Sequence, residues 1–217
     1  MNAQTERLTL TGAAGAIEAV RDSAVLAEGV AEPRGVAIIA HPHPLFGGTM
    51  DNKVVQTLAR AFVHCGYTAV RFNFRGVGAT EGVHDEGRGE LQDLLAVVEQ
   101  VAPAAEGQRI ALAGFSFGAF VTSHALAALW AHGRVDKAVL VGTAASRFSV
   151  APVPPEAHLH TLVVHGEEDD TVPLSAVMDW ARPQILPVTV VPAGGHFFHG
   201  QLPLLKSLVV RHLQSGA

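Results

Sequence analysis

The stretch Gly114-Phe115-Ser116-Phe117-Gly118 has the pattern Gly-x-Ser-x-Gly and directly follows the apolar run "RIALA". A serine in that setting sits in a tight, strained turn between a strand and a helix, with its hydroxyl pushed out beside the helix N-terminus. Glycine is needed on both sides because a side chain at either position would meet neighbouring backbone. Taken by itself the pattern also fits a helix N-cap serine or a plain glycine-rich turn. A hydroxyl becomes a nucleophile only beside a base, and the base needs an acid to orient it. Both occur downstream, each after a further apolar run. His165-Gly166-Glu167-Glu168-Asp169-Asp170 follows "TLVV", and Gly194-Gly195-His196-Phe197-Phe198-His199 follows "VTVVPA". The order serine, acid, histidine is the one such a strand-turn-helix site requires. On residue types alone the acid is Asp169 or Asp170 and the base is His196 or His199.

A second stretch, His41-Pro42-His43-Pro44-Leu45-Phe46-Gly47-Gly48, offers two histidines at a metal-like spacing after the run "VAIIA". A metallo-hydrolase loop of the His-x-His-x-Asp-His kind needs Asp and His where this chain has Leu45 and Phe46, and there is no cysteine pair, so no metal is expected at His41 and His43. Backbone chemistry gives the loop a different use. Pro42 and Pro44 have no N–H, so the donors it can offer come from His41, His43 and then Leu45. A developing negative charge on an attacked carbonyl needs two such donors, one of them from the residue after the nucleophile, here Phe117. Gly76-x-Gly78 places its third glycine, Gly82, one residue late for a dinucleotide fingerprint, and the phosphate-loop Lys-Ser/Thr signature is absent. No cofactor is expected.

These residues need a scaffold that brings distant segments together. Eight runs read as strands: "RLTLT", "GAIEAVR", "GVAIIAH", "TAVRFNF", "RIALAG", "KAVLVG", "TLVVHG" and "VTVVPA". The later ones are almost continuously apolar, as in a parallel sheet covered on both faces. Helical spacing of apolar residues marks Asp51 to Val63, Gly89 to Val101, Phe117 to Trp130, Leu174 to Ala181 and Pro203 to Leu213. The alternation predicts a doubly wound, mostly parallel α/β sheet with an antiparallel edge where the first two strands join directly. Sites in such sheets lie at the carboxyl ends of the strands. With 217 residues, 48% hydrophobic and 16% charged, the chain suits one domain, residues 1–217, with a substantial core. A net charge of -5 argues against nucleic-acid partners, and no apolar run is long enough to span a membrane. The opening "MNAQTERLTLTG" lacks the basic and apolar regions of a signal peptide, and the one cysteine, Cys65, reads as a packed core thiol. Together these predict a cytoplasmic protein.

The stretches "HPHPLFGGTMDNKVV", "RFNFRGVGATEG", "GFSFGA", "HGEEDDTVP" and "GGHFFHG" resemble the α/β-hydrolase superfamily, in particular a group of small, lid-less predicted serine hydrolases. The resemblance runs from about Val36 to the C-terminus. It implies the α/β-hydrolase fold and a Ser-His-Asp triad. The superfamily's G-x-x-D-x-x-V-P pattern falls on Gly166, Asp169, Val172 and Pro173, which favours Asp169 over Asp170. His196 stands where related enzymes carry the catalytic histidine, and the H-G-x-P loop aligns His43 with the second oxyanion donor, Leu45 being the alternative. The Arg-Gly-x-Gly turn falls at Arg75 to Gly78, with Arg75 expected to pair with a carboxylate. Between the strands ending near Gly142 and beginning near Thr161 only Thr143 to His160 intervene, too few residues for a lid domain. An open pocket is therefore expected, walled by Phe46, Phe115, Phe148 and Phe197. The activity implied is hydrolysis of small acyl esters, with thioesters, peptides and peracid formation as alternatives on the same triad, or binding without catalysis.

Overall fold

Side chains of a buried strand must satisfy two different surroundings, and β3 (Gly35–Ala40) shows how this chain does it. Val36, Ile38 and Ala40 pack into one apolar cluster, while Ala37 and Ile39 pack into another on the opposite face. The same alternation runs through β5 (Ile110–Phe115) and β6 (Val135–Val141), as the period-two geometry of a strand demands. The structure is a computed structural model and describes residues 5–215. Residues 1–4 and 216–217, the outer ends of the segment read as one domain and of the opening read for a signal peptide, lie outside the described residues.

The remaining strands are β1 (Thr5–Gly12), β2 (Gly15–Asp22), β4 (Tyr67–Phe72), β7 (Thr161–Gly166) and β8 (Val188–Val191). They form an eight-stranded sheet in the order β1-β2-β4-β3-β5-β6-β7-β8. β1 pairs antiparallel with β2, and β2 antiparallel with β4; every other neighbour pair is parallel. This is the α/β-hydrolase fold that the sequence resemblance implies. Helices α1 (Lys53–His64) and α5 (Leu202–Gln214) cover one face through Leu58, Phe62, Leu205 and Val209. Helices α2 (Arg88–Val101), α3 (Phe117–Trp130) and α4 (Leu174–Ala181) cover the other. α3 is apolar nearly all round, and its first seven residues are all buried, so it lies inside the protein rather than on it.

Parallel register brings the carboxyl ends of the central strands to one level. Ala40 is opposite Gly114, Phe115 opposite Val141, and Gly166 opposite Val191. The loops that leave these strands therefore converge above the sheet. Between β6 and β7 the chain has only a loop and a short 3-10 turn, Pro155–His160, so nothing of domain size stands over that convergence. Cys65 caps α1 and is buried, as expected of a core thiol.

Arg75, in the turn after β4, makes two 2.8 Å hydrogen bonds to Asp93 of α2. Both side chains are buried. Removing one member leaves an uncompensated charge inside the protein, which costs about 3–5 kcal/mol. Asp93→Ala should lower the urea unfolding free energy by that amount; a loss below about 1 kcal/mol would show that the pair is solvated.

Candidate active site

Ser116 links β5 to α3 with φ 58° and ψ -116°, a conformation unfavourable for any residue with a Cβ. Packing enforces it. A Cβ on Gly114 would stand 2.3 Å from the Gly118 carbonyl oxygen, and one on Gly118 would stand 2.4 Å from the Ala40 carbonyl oxygen. The turn therefore closes only with glycine at both places, and it presents the serine hydroxyl at the mouth of the site.

His196 lies in the loop after β8 and bridges the other two residues. Its Nδ1 is 2.7 Å from Asp169 Oδ2, and its Nε2 is 3.0 Å from Ser116 Oγ. With Nδ1–H donated to the carboxylate, Nε2 is left as an acceptor for the serine hydroxyl. All three side chains are buried. The ring is held between Phe115 and Phe197, whose centroids are 4.9 and 5.1 Å away. Asp169 is fixed from its own loop, since Oδ1 accepts the Thr171 and Val172 amides at 3.0 and 2.7 Å. Burial by itself pushes the Asp169 carboxyl up, but the hydrogen bond from His196, the Val172 amide and the neighbouring histidines outweigh it and hold the group below the usual carboxylate range. Asp170 is exposed and, among the described residues, accepts only the Thr171 hydroxyl. His199 is exposed and stacks on Phe197.

The His-Pro-His-Pro loop is shaped by its first histidine. His41 is fully buried; Nδ1 donates to the Pro42 carbonyl at 2.6 Å and Nε2 accepts the Phe74 amide at 2.9 Å. Both ring nitrogens are thus used inside the protein. The His43 ring accepts the Leu45 amide on Nδ1 at 3.2 Å. The Leu45 N–H is consequently occupied, whereas the His43 and Phe117 N–H groups donate to no protein acceptor among the described residues. Asn52 caps α1 by accepting the Val54 amide, and Asn73 accepts the Met50 amide, so the far end of the loop is tied to the sheet.

A cleft of about 320 Å³ opens over Ser116 and His196, lined also by Pro42, His43, Phe46, Thr171, Arg147 and Phe197. Of the four phenylalanines expected at its wall, Phe46 and Phe197 line it. Phe115 does not: strand alternation turns it, with Ala111 and Ala113, to the face under α1 and α5, where it is fully buried. Phe148 stacks on Phe120 at 4.8 Å and lines a neighbouring cleft of about 620 Å³ instead.

Three residues near the site belong to no catalytic motif of the sequence. His165, at the end of β7, is fully buried with Nε2 2.8 Å from the Val172 carbonyl and 3.5 Å from Asp169 Oδ2, behind the acid. Its place at a strand's carboxyl end is the only cue the sequence offers. His84 lies 4.8 Å from the His43 ring, with Nδ1 2.8 Å from Glu90 Oε1. Glu90 in turn accepts the Asp85 and Gly87 amides and closes the loop before α2. The third is Arg147, from the loop after β6, which leans over the Phe46 ring.

A serine elbow facing a histidine and a carboxylate, on this sheet, defines an α/β serine hydrolase. The model of the family described as serine aminopeptidase, S33 matches residues 31–155, more than half of the chain, and the chain belongs to that family. The match covers Ser116 and the His-Pro-His-Pro loop but stops before Asp169 and His196. The chain is similar to a lid-less α/β serine hydrolase from Xanthomonas campestris, at 36% identity and TM-score 0.86, over 99% of this chain and 95% of that one. It is also similar to an α/β serine hydrolase homologue from Coxiella burnetii, at 38% identity and TM-score 0.79, over 96% and 97%. An uncharacterised protein of Rickettsia prowazekii is 45% identical over 89 residues, 40% of this chain; the match spans only 37% of that protein. No helix among the described residues is long and apolar enough to cross a membrane.

His41 predicts a pH dependence of stability. Burial lowers its pKa to about 4, against about 6.5 for a histidine in the unfolded chain. Between those values the unfolded chain holds a proton that the folded one does not, so the contribution is complete above about pH 6.5 and is lost as pH falls to about 4. The shift corresponds to about 3 kcal/mol. In His41→Gln, unfolding free energy measured from pH 6.5 to 4 should fall with a slope shallower by about one proton; an unchanged slope would mean that His41 is charged or solvated in the fold.

Proposed function

We propose that the protein is a carboxylesterase acting on small acyl esters through Ser116, His196 and Asp169. The observation that carries this reading is the continuous hydrogen-bonded line from Asp169 Oδ2 through both His196 nitrogens to Ser116 Oγ, at 2.7 and 3.0 Å. In the proposed reaction Ser116 Oγ attacks the ester carbonyl carbon while its proton passes to His196 Nε2. Negative charge moves to the carbonyl oxygen, stabilised by the His43 and Phe117 N–H groups. The tetrahedral species collapses, the leaving alkoxide takes the proton from His196, and an acyl-serine remains. Water then gives a proton to Nε2 and attacks the acyl carbon, and Ser116 leaves as the alcohol. Asp169 holds the histidine tautomer and stabilises the imidazolium throughout. No cofactor takes part.

The family description raises aminopeptidase activity as a second reading. An aminopeptidase must hold an α-ammonium near the scissile carbonyl, for which a carboxylate is the natural partner. Among the described residues no Asp or Glu lines the cleft over Ser116, which favours esters over aminoacyl peptides. The lidless setting suits short acyl groups, and the lone buried thiol of Cys65 suits a cytoplasmic setting.

Two tests follow from this assignment. Ser116→Ala should abolish labelling by a fluorophosphonate probe and reduce kcat/KM on p-nitrophenyl acetate by at least about 10⁴; labelling retained in that variant overturns the reading. The oxyanion donor can be removed by proline, because His43 already has φ -54°. His43→Pro should lower kcat by about 10²–10³, whereas His43→Ala, which keeps the amide and deletes only the ring, should stay within about tenfold of wild type. Equal losses in the two variants would assign the effect to the ring.

A further inference from the structure

The cleft over Ser116 carries one formal charge at its wall among the described residues, and that charge is positive. It belongs to Arg147, an exposed residue of the short loop between β6 and β7. Arg75, Arg88 and Arg134 each have a carboxylate within 4 Å, but among the described residues the Arg147 guanidinium has none and makes no hydrogen bond to protein; the residue is held through its backbone N–H, which donates to the Ala144 carbonyl at 3.2 Å. Its guanidinium lies over the Phe46 ring, 6.0 Å from the centroid, where a cation–π contact steadies it while leaving its N–H fork unused. Arg147 and Phe46 also line the neighbouring cleft, so the guanidinium stands on the rim the two share. Glu86, the carboxylate that lines that second cleft, is not within ion-pair distance of it. The chain as a whole has net charge -5, yet beyond about 8 Å at physiological salt such charges are largely screened, and the local cation dominates.

We propose that Arg147 binds an anionic group on the substrate, a carboxylate in the simplest case, so that the site favours esters carrying a second, ionised group away from the scissile carbonyl. This rests on the esterase reading of the same site. A planar guanidinium with a free fork matches a carboxylate bidentately. The anion can belong to the acyl part or to the leaving group, and the two are separable by experiment.

The test compares two matched pairs: the p-nitrophenyl half-ester of adipic acid against p-nitrophenyl hexanoate, and 4-carboxyphenyl acetate against phenyl acetate. In Arg147→Gln the charged-to-neutral ratio of kcat/KM should fall about tenfold for at least one pair, and Arg147→Lys should retain part of it. The pair that responds identifies the side on which the anion sits. A ratio unchanged in both pairs overturns the proposal. Binding of the anionic products, adipate and 4-hydroxybenzoate, to wild type and Arg147→Gln by NMR titration reads the arginine without turnover. At least one should bind about tenfold more weakly to the variant, and identical Kd values for both overturn the proposal. If no ester is hydrolysed and no probe labels the protein, the esterase reading fails, and the binding comparison still decides the role of Arg147.

Discussion

At the junction of β5 and α3 two stretches of backbone come so close that no Cβ fits between them. Gly118 packs on the carbonyls of Ala40 and His41, and Gly114 on the carbonyl of Gly118. That contact fixes the first turn of α3 directly against the start of the His-Pro-His-Pro loop. It forces Ser116 into positive φ and sets the Phe117 amide beside the loop that offers the His43 amide. An apolar helix, buried on nearly every side, holds the junction shut from below. Strain at the serine persists because the surroundings over-determine it.

Around that junction the loops are tied both from within and to one another. Asp169 is held by amides two and three residues ahead, Glu90 by amides of its own loop, and His41 by the Pro42 carbonyl and the Phe74 amide. Each arm is a locally rigid piece carried by a strand of the parallel sheet. The register of the sheet aligns the pieces, and contacts between loops, His196 with Asp169 and His41 with Phe74, complete the geometry at Ser116.

Much of this was legible in the sequence because parallel strands buried on both faces write themselves as apolar runs, as the later runs do, and all eight runs read as strands are strands. The five helices were equally readable from the spacing of their apolar residues, although α3 is apolar nearly all round and has no amphipathic stripe. The elbow was marked by the glycines that its crowding requires. What the sequence did not disclose are contacts between loops far apart in the chain. His84 reaches His43, and Arg147 reaches Phe46, with no periodicity or spacing to announce either. Phe115 neighbours Ser116 and so reads as a pocket wall, although the alternation along β5 turns it into the buried cluster under α1 and α5, where it packs behind His196 rather than lining the cleft. The sequence does not separate the His43 and Leu45 amides because their availability depends on where one imidazole nitrogen points: Nδ1 of His43 accepts the Leu45 N–H.

The histidine of the site follows a short strand at one edge of the sheet. β8 has four residues, lies at the edge, pairs only with β7, and just one of its residues is fully buried. Ser116, by contrast, springs from the centre. Local opening has its lowest free energy where buried apolar contacts are few. Fraying of β8 would carry His196 away from Ser116 while the elbow and both apolar clusters stay intact. Such an opening would separate loss of the His196–Ser116 alignment from loss of the global fold.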